Sequence, residues 1–137
     1  MSATAIAQTT EKTHIWLNEL ASQLEWEDPD LVFRALRTVL HQLRDRLPIN
    51  ESAQLASQLP MLVRGMYYEN WDPQPHPRRI DAEMFAEHVA AAFPGDYTID
   101  PNHVIRSVFA VIAQHVAAGE VEDVKLCLPD EYLAFWD

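Results

Sequence analysis

A chain of 137 residues, 48% apolar and 23% charged, has a globular composition: long enough for one domain with its own core, too apolar for wholesale disorder. Ten basic against twenty-one acidic side chains leave a net charge of −11. That balance argues against nucleic acid and against anionic membrane surfaces, and it points any charged partner toward the basic.

The lone cysteine, Cys127, excludes an internal disulfide and suits a reducing cytoplasm. No apolar run approaches the ~20 residues of a membrane helix. The opening MSATAIAQTT has no signal-peptide pattern, so a cytoplasmic setting is expected.

Residues 1–9 read as a flexible, frayed tail. Thr10 then caps a first helix to about Trp26, with Ile15, Trp16, Leu20 and Leu24 at helical spacing. Asp28-Pro29 starts a second helix: the aspartate accepts orphan amides, and proline gives up a donor that had no partner. Its apolar stripe is Val32, Leu36, Val39 and Leu43, and its polar side carries Arg34, Arg37, His41 and Arg44. Pro48 ends it, Asn50 caps a short third helix, and Pro60 opens a fourth that Gly65 closes.

Pro73, Pro75 and Pro77 then hold an extended linker. After it, Asp81 caps a helix to about Phe93, with Phe85, Val89 and Phe93 inward. Asp100-Pro101 starts another, whose Val104, Val108, Val111, Ile112 and Val116 make it the candidate central helix. Two short helices follow, about Glu120–Cys127 and Pro129–Trp136. The last is too aromatic to stay in water and is expected to dock on the body.

The second half restates the first. Asp28-Pro29 returns as Asp100-Pro101, Arg34 as Arg106, Val39-Leu40 as Val111-Ile112, and Leu59-Pro60 as Leu128-Pro129. The expected fold is therefore all-α: two tandem repeats of about four helices each, packed about a pseudo-twofold axis as one compact domain. Repeat one spans 10–71, the proline-rich linker 72–80 and repeat two 81–137.

Arg34-Ala35, Val39-Leu40, the run Leu43 to Leu47, Gln58-Leu59-Pro60, the run Arg64 to Tyr68, and Trp71 together resemble the domain of unknown function 2267 family. Arg106, Gly119-Glu120 and Leu128-Pro129 continue the likeness, which covers Ile15 to Trp136. Ser107 stands where members often have alanine. The resemblance implies a bacterial protein with a helical fold. The family has no established activity, so no catalytic residue carries over.

Nothing in the residues has catalytic spacing. Glu11-x-x-His14 and Asp100-x-x-His103 put an acid and a histidine on one helix face, but in first turns, where capping explains them. Glu87 and His88 are adjacent and point apart. His115 lies near an apolar stripe. Cys127, between Leu126 and Leu128, reads as a buried, unreactive thiol. No catalytic residue, metal or cofactor is expected.

The expected function is a non-enzymatic interaction module with an unknown protein partner or a second copy of itself. Its contact surface is the linker (Trp71, His76, Arg78, Arg79) plus the basic flank (Arg34, Arg37, Arg44). The rival readings are a metal-binding sensor or enzyme using His and Glu side chains, and a small-ligand binder between the repeats.

Overall fold

Amides at a helix start need acceptors, and three aspartates supply them. Asp28 accepts from the Asp30 amide at 2.9 Å, Asp81 from Met84 at 2.7 Å, and Asp100 from Asn102 and His103 at 3.0 and 3.3 Å. The computed structural model describes residues 2–95 and 97–137. Among them the elements are α1 (Ala3–Leu24), α2 (Pro29–Arg44), α3 (Ile49–Ser57), α4 (Met61–Tyr67), α5 (Ala82–Ala91), α6 (Pro101–His115), α7 (Ala118–Cys127) and a C-terminal 3-10 helix (Asp130–Trp136). No strand occurs among the described residues.

α6 is the central helix. Val104, Ile105, Val108, Phe109, Val111 and Ile112 are all buried, and α6 packs against α1, α2, α5, α7 and the 3-10 helix. α2 is the other axis of the fold, against α1, α4, α5 and α6. The 3-10 helix docks as its aromatic content requires. Tyr132 and Phe135 are buried among Phe85 and Phe109, and the Tyr132 hydroxyl donates to the Ile80 carbonyl at 2.7 Å. Segment 72–80, irregular with a bend at Pro75-His76, joins α4 to α5, and Ile80 anchors its end in the core.

Several boundaries differ from those read in the sequence. The segment expected as a tail is helical from Ala3. Met1 lies outside the described residues. Ser2 caps α1 by accepting from the Ala5 amide, and Thr10 lies within the helix, its hydroxyl donating to the Ile6 carbonyl. Alanine-rich sequence favours helix there, and buried Thr9 ties the segment down by accepting from the Leu62 amide at 3.2 Å.

Asn50 is inside the first turn of α3, after Pro48. Pro60 sits just outside α4, and α4 runs past Gly65 to Tyr67. Ile15, expected inward, is 42% exposed, because it lies at the border of its stripe.

Candidate functional site

Helix C-termini leave carbonyls without partners. This chain satisfies three of them with arginine. Arg34 on α2 donates to Ala92 O at the end of α5, at 3.0 Å. Arg64 donates to Ala56, Ser57 and Leu59 O at the end of α3, at 2.9, 3.1 and 3.1 Å. Arg44 donates to Tyr67 and Glu69 O at the end of α4, at 2.7 and 2.8 Å, and its Nε reaches Asp45. The geometry also places a cation at the negative end of each helix dipole.

The flank of α2 is thus less free than its sequence suggests. Arg44, expected on the solvent side, is 5% exposed. His41, expected in solvent, is half-buried with Nε2 2.6 Å from Met66 O, and burial holds its imidazole below the ordinary pKa. Arg37 pairs with Glu69 at 3.4 Å on the surface. Arg34 is engaged by the Ala92 carbonyl, while its counterpart Arg106 is exposed in a shallow cleft beside Glu83 and Glu131.

Two of the four linker residues, Trp71 and Arg78, line a cleft. A cavity of about 240 Å³ lies between the end of α2, the start of α3 and the linker. Trp71, Arg78 and Pro77 line one side; Arg44, Asp45, Arg46 and Ile49 line the other. Asn70, in the left-handed region at φ 57°, turns the chain out of α4 so that Trp71 comes back against Tyr68, ring centroids 5.3 Å apart. Arg46 is the residue the sequence reading passed over. Its Nε and Nη1 are buried without a hydrogen-bond partner. Burial, and Arg78 nearby, work against its charge, yet a guanidinium stays protonated. His76 and Arg79 are exposed on the linker and do not line the cavity.

A second cluster lies where α3 packs on α7. Oxygens of Glu51, Glu120 and Asp123 lie within 4.8 Å of one another, and Cys127 Sγ is 3.8 Å from Glu51 Oε1. Burial, a hydrogen bond with Glu51 and the charges of Glu51 and Asp123 push the Glu120 carboxyl far above the usual carboxylate range. Burial first, and the same carboxylates second, also raise the Cys127 thiol. The apolar flank inferred for Cys127 is half wrong: Leu126 is 83% exposed, and carboxylates take its place.

The remaining histidines are dispersed. His115 stacks on Trp16, centroids 5.1 Å apart, with Nε2 2.5 Å from Glu19 Oε2, tying the end of α6 to α1. His88 contacts Gln42, and Glu87 is exposed beside it. Glu11 and His14 are both exposed.

The profile of the family described as "uncharacterized conserved protein (DUF2267)" matches residues 13–135, nearly the whole chain. The chain belongs to this family. A comparison with curated proteins finds no match. Membership in DUF2267 assigns no residue a role, so the two clusters stand on their own geometry. No helix among the described residues is long and apolar enough to cross a membrane.

The sequence did carry a signal for the second cluster. Glu120, Asp123 and Cys127 recur at i, i+3 and i+7, one face of a helix. What it lacked was Glu51, 69 positions before Glu120, which only packing brings across.

Proposed function

We propose that this protein is a helical interaction module of the bacterial cytoplasm. Its partner presents a single carboxylate, within an otherwise neutral or basic segment, to the cleft between Arg46 and Arg78. The observation that carries this reading is the buried, unpartnered pair of donors on Arg46 at the wall of a cavity that Trp71 and Arg78 also line. A guanidinium with unsatisfied donors favours a carboxylate, and hydrogen bonds to charged groups contribute about 1.5–3 kcal/mol. Trp71 supplies a rigid apolar face beside it, a combination common in recognition surfaces. The net charge of −11 draws in a basic partner at long range; the cleft reads the one acidic group at short range.

Arg44, Arg34 and Arg37 drop out of the direct contact set, because carbonyls and Glu69 already occupy them. His76 and Arg79, exposed along the linker, form its rim.

The arrangement of the helices fits two quartets related by a pseudo-twofold axis. Such an axis pairs each element with its own counterpart or makes contacts in swapped pairs. α2 meets α6 and α3 meets α7, and the contact of α1 with α6 is mirrored by that of α2 with α5.

The test is a pair of basic peptides that differ only by one glutamate changed to glutamine, titrated calorimetrically into the full chain. The glutamate peptide is expected to bind at least tenfold more tightly. Arg46→Gln is expected to erase the difference, and Trp71→Ala to weaken both. Equal binding of the twin peptides, or a difference that survives Arg46→Gln, would overturn the reading.

A further inference from the structure

α3 and α7 each open with a glutamate at the third helical position, Glu51 and Glu120. A glutamate there ordinarily reaches back to the amide of the capping residue. Neither can do so. Glu51 would have to reach Pro48, which has no N–H. Glu120 would have to reach Ala117, whose N–H already donates to Gln58 Oε1 at 2.8 Å.

Both carboxylates instead turn into the α3–α7 contact. Glu120 is 8% exposed, and its Oε2, like Oε2 of Glu51, is buried without a hydrogen-bond partner. Asp123 joins them from the next turn of α7. Cys127 stands at the edge of this group, its Sγ 3.8 Å from Glu51 Oε1, and must close in with Asp123 to share an ion. The two glutamates hold matching positions in the repeats, spaced as Pro60 is from Pro129. Three carboxyl groups in this volume repel one another, in a chain already at −11. A proton shared by Glu51 and Glu120 relieves one charge and leaves two negative charges in the cluster. A divalent cation offsets two of the three carboxylate charges and gives the orphan oxygens a partner.

We infer that Glu51, Glu120, Asp123 and Cys127 form a binding site for one divalent transition cation of the zinc class, held between α3 and α7. The donor set decides the class. Carboxylates alone suit magnesium, calcium or manganese; one thiolate among them moves the preference to zinc, and four ligands complete its usual shell. Exposed Asp123 is the member free to close onto the ion, since bonds of about 2.0–2.3 Å need the ligands closer than they stand now. On binding, the Cys127 thiol and any proton shared by Glu51 and Glu120 pass to water, leaving thiolate and carboxylates as ligands. The cation then clasps the first half of the chain to the second.

The full chain, stripped with chelator, is titrated with zinc chloride in a calorimeter and melted with and without it. One equivalent of zinc is expected, with a rise in Tm that grows with free zinc. Glu120→Gln and Glu51→Gln are each expected to weaken binding at least tenfold. Glu11→Gln, an exposed acid elsewhere, and Arg46→Gln in the linker cleft are expected to leave it unchanged. With cobalt in place of zinc, Cys127→Ser is expected to abolish the sulfur-to-metal absorption band. Absence of saturable one-to-one binding would overturn the site, as would affinity that survives Glu120→Gln. A Glu120→Gln protein that is more stable and whose parent ignores zinc would identify the cluster as a proton-sharing carboxyl pair only.

Discussion

α2 and α6 begin alike and end in opposite chemistry. Both start at Asp-Pro, both carry an arginine six residues after the aspartate, and both bury an aliphatic stripe. Past that point Arg37 matches Phe109, His41 matches Ala113 and Arg44 matches Val116. The cause is the element each must receive. α6 receives the C-terminal 3-10 helix, whose Trp136 and Phe135 lie 4.3 and 5.9 Å from the Phe109 ring. α2 receives the end of α4, where the chain goes on into the linker and leaves carbonyls of Met66, Tyr67 and Glu69 facing inward. Arg44 and the neutral His41 on α2 satisfy those carbonyls; aromatics on α6 fill space. One helical frame thus carries two kinds of interior, set by what packs on it.

The comparison breaks first at Phe109. Phe109→Ala should cost about 3–5 kcal/mol in urea unfolding, because it empties the centre of an aromatic cluster. The same truncation at the matching Arg37, whose pair with Glu69 is solvent-screened, should cost less than about 0.5 kcal/mol. Equal effects would mean that the two helices are not used differently.

Next comes Arg44. Arg44→Ala should cost about 3 kcal/mol, since it strands the Tyr67 and Glu69 carbonyls in a buried setting. Hydrogen exchange should show the end of α4 opening first. A loss confined to global unfolding, with α4 protection intact, would reject the capping role.

The smallest effect is that of His41. Its pKa lies below the ordinary 6.5 because burial disfavours the imidazolium; Arg44 and Arg37 act the same way, against the Met66 carbonyl and Glu69. The unfolded chain therefore takes up this proton before the folded one does. The stability at stake is complete above about pH 6.5 and drains as pH falls through that value and below. The difference in unfolding midpoint between wild type and His41→Gln should shrink from about pH 7.5 to about pH 5.5. A pH-independent difference would rule out burial of the neutral ring.

The three aspartate-capped helix starts were legible in the residues, because a cap is a local event: Asp28, Asp81 and Asp100 each bond amides two or three positions on. The apolar stripe of α6 was equally plain, since periodicity needs only the helix itself. The candidate sites were less so. Trp71 and Arg78 announced themselves by composition, but Arg46 looks like any surface arginine until the linker folds over it. Arg44 misled for the same reason, since its partners lie 23 and 25 residues away. The α3–α7 carboxylates were invisible as a cluster, as Glu51 and Cys127 are 76 positions apart.

The order of elements, the aspartate-capped starts and the helix that would be central all follow from bonds and periods spanning a few residues. Which cations are consumed by carbonyls, which remain open at a cleft, and which carboxylates meet depends on surfaces brought together from distant parts of the chain. Desolvation acts on that assembled geometry, and no short window of residues contains it.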